Sequence, residues 1–154
     1  MRLAYDIETN GLLHQLNKIH IIAVKDLDSG DAVTYKYDEI DDALDHLDKA
    51  DLIVGHNVIL FDNPALLKVT GWQPKCEVMD TLVMSRMLWS NISDIDWSTK
   101  PKDMPVKLYG SHSLKAWGFR LGENKAEYKG SWDYWNEEMH LYAGQDANVT
   151  QKLF

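Results

Sequence analysis

The stretch LAYDIETNGLL, residues 3 to 13, constrains the fold of this chain more than any other. Its apolar start reads as a buried strand, yet Asp6 and Glu8 stand two apart near its end. Alternate residues of a strand leave the same face, so the two carboxylates project side by side. Ionised carboxylates are costly to bury unless a cation compensates them. Two readings are open from the pair alone. One is a solvated strand end, the common fate of such acids in an acidic chain. The other is a seat for a hard cation.

The rest of the chain bounds the alternatives. A length of 154 residues with 45% hydrophobic content suffices for one domain with a sizeable core. The apolar N-terminal stretch is short and broken by acids, which is not the pattern of a signal peptide. No run approaches the roughly 18 apolar residues of a membrane span. Cys76 has no cysteine partner, and six scattered histidines do not spell a zinc site. These features predict a cytoplasmic protein without membrane contact.

A net charge of -8 argues against a surface that binds nucleic acid everywhere. The distribution is uneven. Residues 26 to 51 hold ten acids against two lysines, whereas residues 100 to 130 hold seven bases against three acids. Charge alone leaves both segments readable as solvated faces.

Hydrophobic periodicity predicts strands at 2–8, 18–25 and 31–37, a helix in 39–50 with Ile40, Ala43, Leu44 and Leu47 on one face, and a short strand in 51–56. Helices are predicted at 61–69, 80–90, 111–121 and 133 to the end. Ser111, and Ser131 or Asp133, are the expected N-caps and Gly122 a C-cap. Residues 91–110 read as a long loop. Strands first and helices after, with one β-α-β passage, imply an α/β fold: a mixed sheet flanked by helices.

Two further elements carry acids. In VGHNVILFDNPAL an apolar strand runs into Asn57 and then Asp62, before a proline suited to a helix start. Asp62 reads most simply as a helix cap. In HLYAGQDANV, Tyr142 and Asp146 are i and i+4 and share one helix face. In isolation that is a core tyrosine beside a surface acid.

Taken together, Asp-x-Glu on the first strand, Asn57 followed by an aromatic-Asp after a later strand, and Tyr-x-x-x-Asp on the last helix resemble the three motifs of the DEDD exonuclease superfamily. Tyr142 marks the DEDDy branch, since the histidine branch carries His where this chain has Leu141. The stretches MDTLVMSRMLWSN and GSHSLKAWGFRLGENKAEYKG extend the likeness to the proofreading domain of T7-like phage family A DNA polymerases. It covers nearly the whole chain. Four residues separate Asn57 from Asp62, as in the phage branch, where the bacterial enzymes have three.

The resemblance implies a ribonuclease H-like fold and metal-dependent 3'–5' removal of nucleotides from DNA, with proofreading in DNA replication as the expected role. It implies two Mg2+ or Mn2+ ions held by Asp6, Glu8, Asp62 and Asp146, with Asp6 shared, and Tyr142 orienting the attacking water. Thr9 and Leu12 are placed at the terminal nucleotide, Leu12 as a wedge between bases, although ordinary core packing explains Leu12 equally well. Asn57 is a further expected substrate contact. The implied partners are the single-stranded 3' end of DNA and a polymerase domain or subunit, with residues 1–154 either one domain cut from a longer polymerase or a stand-alone exonuclease. The basic segment, with His112, Lys115, Arg120, Lys125 and Lys129, is expected to attract the phosphate backbone or face a polymerase. Trp132 and Trp135 read as core rather than base-stacking residues. Rival readings are an exoribonuclease of the same superfamily, a non-catalytic calcium-binding module and a plain interaction domain.

Overall fold

The computed structural model describes residues 1–123 and 130–154. A five-stranded sheet has the order β3-β2-β1-β4-β5, built from β1 (Arg2–Thr9), β2 (Ile19–Asp26), β3 (Ala32–Lys36), β4 (Leu52–Gly55) and β5 (Glu77–Asp80). β1 pairs antiparallel with β2 and parallel with β4; the β2–β3 pair is antiparallel and β4–β5 is parallel. The mixed sheet expected from the sequence is therefore present.

The two-residue period of the strands sorts the core into two layers. Leu3, Tyr5 and Ile7 of β1, with Ile22 and Val24 of β2, face α1 (Ile40–Leu47) and α2 (Asp62–Thr70). Ala43, Leu44 and Leu47 close that layer from α1, and Ala65 and Leu66 from α2. Each large aliphatic side chain buried this way is worth about 1.5–3 kcal/mol. The opposite face is covered by α6 (Glu137–Leu153), whose Met139, Ala143 and Ala147 recur every four residues and pack on Ile21 and Ala23. Ala4, Asp6 and Glu8 must then lie on this α6 side of β1. Small residues at 143 and 147 let the helix approach the sheet closely. None of the helices among the described residues is long and apolar enough to cross a membrane.

A third cluster joins α4 (Ile92–Thr99), α5 (Leu114–Leu121) and α6 through Ile92, Leu114, Trp117 and Val149. Here the sequence expectation fails. Residues 91–110 are not a continuous loop, because α4 occupies eight of them. Its signature is weak in sequence because one of its two buried residues is an acid, Asp96. The four-residue strand β5 also lacks a visible period, and α3 (Thr81–Leu88) follows it directly.

The caps shift as well. Ser113, not Ser111, caps α5 by accepting the N–H of Ala116, while Ser111 donates its hydroxyl to Ser113. Asn136 caps α6 by accepting the N–H of Met139; Ser131 and Asp133 instead bond to one another upstream. Gly122 ends α5 in the left-handed conformation expected of it.

Candidate active site

The site is assembled at the end of β1. One carboxylate oxygen each from Asp6, Glu8 and Asp146 lies within 4.8 Å of the others. β1 supplies the first two by its alternation, and α6 delivers Asp146 one position before Ala147, which is seated on the sheet. Glu8 and Asp146 are buried and Asp6 is half-buried. The register of β1 against β2 shifts between Glu8 and Thr9, a bulge at the lip of the site.

Asp62 is buried beside this cluster and is not a helix cap, contrary to its simplest sequence reading. The residue before α2 is Phe61, which makes no side-chain cap bond, and Asp62 Oδ1 accepts the N–H of Ile7 at 3.2 Å. Burial, reinforced by the neighbouring charge of Asp6, pushes the Asp62 carboxyl well above the ordinary range. The repulsion is what a divalent cation would relieve. An all-oxygen, carboxylate-rich donor set of this kind fits a hard divalent ion.

The turn that presents Asp62 depends on a residue absent from the expected set, Asp80. At the N-cap of α3 it accepts the N–H of Leu82 at 2.9 Å, and it also accepts those of Asn57 at 2.9 Å and Ile59 at 3.1 Å. One buried acid thus ties β5 and α3 to the segment between β4 and α2. Gly55 ends β4 where a Cβ would stand 3.1 Å from the Tyr5 carbonyl and 2.0 Å from Val58 Cγ1, so only glycine fits. Asn57 follows at φ 68°, a left-handed position that asparagine tolerates, and its carbonyl accepts the N–H of Phe61. The Asp-Thr pair at a strand–helix junction was the available sequence signal for Asp80.

Two concavities flank the carboxylates. A cleft of about 340 Å³ is lined by Glu8, Thr9, Gly11, Leu12, Phe61 and Trp132. Leu12 is 64% exposed there, which removes core packing as its explanation. The Thr9 hydroxyl donates to the Gly11 carbonyl. Trp132 is 39% exposed and is not the core residue expected from the sequence; Trp135 does pack against the α6 layer. Tyr142, one turn before Asp146, meets the Trp132 ring edge to face at 6.3 Å.

A second cavity, of about 590 Å³, is lined by Asp6, Asp146, His56, Asn57, Arg86 and the 110–114 segment. The expectation that Arg120 meets a phosphate backbone is overturned here. Its guanidinium grips Asp96 through two bonds of 2.9 and 2.6 Å and lies 4.8 Å over the Trp117 ring. Asp96 also accepts the Gly110 N–H at 2.8 Å. Burial alone would push the Asp96 carboxyl up, but the Arg120 bonds and charge hold it below the usual range. His112 lines the cavity, and burial together with the charges of Arg120 and Arg86 lowers its pKa. Lys115 is half-buried. Lys125 and Lys129 lie outside the described residues.

The fold defines the class: a ribonuclease H-like α/β domain built on a five-stranded mixed sheet. NrnC of Brucella melitensis with bound Mg2+ superposes with a TM-score of 0.67 at 20% identity, over 99% of this chain and 69% of that one. Exonuclease X in complex with 5' overhanging duplex DNA gives 0.60 at 17% identity, over 99% and 89%. More particularly, the chain is homologous to phage DNA polymerases. It is 36% identical to the DNA-directed DNA polymerase of Escherichia phage T7 over an alignment of 177 residues, covering 96% of this chain and 25% of that protein. The polymerase of Enterobacteria phage T3 matches at 36% over 98% of this chain and 26% of its own length. The chain thus spans about a quarter of the length of these relatives. No protein-family model matches it.

Proposed function

We propose that this chain is a metal-dependent 3'–5' exonuclease unit that removes nucleotides from DNA 3' ends, proofreading for a polymerase domain or subunit in the cytoplasm. What carries the reading is the meeting of Asp6 and Glu8 from β1 with Asp146 from α6, one oxygen each within 4.8 Å. DNA is preferred over RNA as substrate because the 36% identical relatives are DNA polymerases.

In this reading Asp6, Glu8 and Asp146 hold one Mg2+ or Mn2+ ion, and Asp6 and Asp62 hold a second. When bound, such ions supply Lewis acidity and neutralise charge on the attacked phosphate and the leaving oxygen. The chain does the placing. Leu12, Phe61 and Trp132 receive the last nucleotide in an apolar cleft that Glu8 and Thr9 also line, with Leu12 the wedge. Asn57 shapes the turn that presents Asp62. Tyr142, on the helix face of Asp146, orients the attacking water through its hydroxyl.

The test is a 3'-labelled oligonucleotide, as DNA and as matched RNA, with and without magnesium. The expected product is labelled mononucleotide from single-stranded DNA, formed only with Mg2+ or Mn2+ present. Release from the 5' end, or cleavage undiminished by excess chelator, refutes the reading. Faster digestion of RNA moves the substrate to RNA, and no metal-dependent cleavage at all leaves a non-catalytic module.

Tyr142 is separable from the acids. Tyr142→Phe keeps the ring against Trp132 and deletes one hydroxyl. Single-turnover cleavage is expected to slow by about 10- to 1,000-fold, the scale of one positioned polar group. Manganese affinity measured by calorimetry should stay within error of wild type. Cleavage at the wild-type rate would leave Tyr142 as packing alone.

A further inference from the structure

We propose that His20 is a positioning residue for the apolar cleft: it ties the segment carrying Trp132 to the sheet, so that the indole stands where a terminal base can stack on it. The inference rests on the exonuclease reading above, which places the last nucleotide in that cleft.

The bulge at the lip of the site is where His20 acquires this role. Glu8 pairs with Ile21 and Thr9 with Ile19, which leaves His20 as the inserted residue of β2. An inserted residue escapes the regular alternation of its strand, and its side chain is re-aimed. His20 is only 5% exposed, and its Nε2 lies 2.9 Å from the Trp132 carbonyl. A carbonyl can only accept, so Nε2 carries a hydrogen and donates it. The bond spans 112 positions of the sequence and joins β2 to the segment before α6.

The residue so held is a wall of the cleft. Trp132 lines it beside Leu12 and Phe61, and its ring meets that of Tyr142 at an interplanar angle of 77°. The hydrogen bonds of Ser131 with Asp133 and of Asn136 with Met139 are local and shape the segment itself. The His20 bond instead fixes the segment to the strand pair that supplies Glu8 and Thr9, which line the same cleft. A stacking platform contributes most when its position is set before the base arrives, because the cost of ordering it is then already met.

The experiment compares a single-stranded oligodeoxynucleotide with the same strand ending in an abasic nucleotide. Binding is read by fluorescence anisotropy with calcium in place of magnesium, so the role is tested whether or not turnover occurs. The wild type should bind the complete strand about 5- to 100-fold more tightly, the worth of one stacked base. His20→Leu removes the donor and should cut that ratio to about threefold or less, with the abasic strand bound as by the wild type. His20→Gln returns an N–H donor at about the reach of Nε2 and should bring the ratio back to within about threefold of wild type. In a Trp132→Ala background the ratio should be lost, and adding His20→Leu should change nothing further. Should His20→Leu fail to fold, His20→Asn, whose amide stops one bond short of the carbonyl, takes its place. A full ratio in the donor-less variant, a His20→Gln no better than that variant, or a wild type indifferent to the terminal base overturns the proposal. A His20-dependent ratio without any cleavage in magnesium would refute the exonuclease reading and leave the positioning role standing. Metal-dependent cleavage with a ratio indifferent to His20 would do the reverse.

Discussion

Asp6→Ala is expected to abolish metal-dependent cleavage, by roughly four orders of magnitude or more, and to leave the metal-free protein as stable as wild type or more so. The first part follows from its place in the proposed site, where it serves both ions. Losing it removes several kcal/mol of transition-state charge stabilisation. The second part follows from the crowding of acids. Asp6 shares a 4.8 Å cluster with Glu8 and Asp146, and its charge helps push the Asp62 carboxyl up. Deleting it relieves repulsion that no cation offsets in the metal-free state. A gain of about 1 kcal/mol would raise Tm by about 2–4 °C in a chain of this size.

Metal reverses the ranking. An ion that binds only the folded state at a hundred times its Kd stabilises by about 2.7 kcal/mol. The wild type should therefore gain several degrees on adding manganese, and Asp6→Ala should gain far less. Thermal melts with and without the ion, beside single-turnover cleavage, check all of this. A variant that unfolds would make Asp6 a structural residue and withdraw support from the site.

The second large effect concerns stability rather than chemistry. The Asp96 and Arg120 side chains are 1% and 7% exposed and joined by two bonds, so removing either leaves a buried charge alone. Asp96→Ala or Arg120→Met is expected to cost about 3–5 kcal/mol. For a domain of this length that lowers Tm by about 6–20 °C. The double variant Asp96→Leu, Arg120→Met should recover much of the loss, since no uncompensated charge remains. A loss below about 1 kcal/mol in both single variants, the range of a surface ion pair, would show the pair to be inert.

The pH dependence has a definite sign. The Asp96 carboxyl lies below its ordinary value in the folded chain, so its contribution is complete above the unfolded value of about 4 and vanishes as pH falls through the lowered one. The gap in Tm between wild type and Asp96→Asn should be level between about pH 5 and 8 and should narrow below about pH 4.

What the sequence determined by itself is whatever depends on short spacing. Asp6 and Glu8 share a face because strands repeat every two residues, and Tyr142 and Asp146 share one because helices repeat near four. The apolar periods of β1, β2, α1 and α6 were legible for the same reason. Together these carried the sheet, its helical cover and the chain order of the motifs. The tertiary structure decided everything that required two distant segments to meet. Asp62 looked like a helix cap locally, and only its burial behind β1 turned it toward the N–H of Ile7. Arg120 looked like a phosphate contact until Asp96, 24 residues away, occupied it. Asp80 carried no local sign of reaching the N–H groups of Asn57 and Ile59. Leu12 was left open and Trp132 was read as core because an apolar side chain reads alike whether it fills a core or lines a cleft. Exposure belongs to the packed molecule, and no spacing along the chain encodes it.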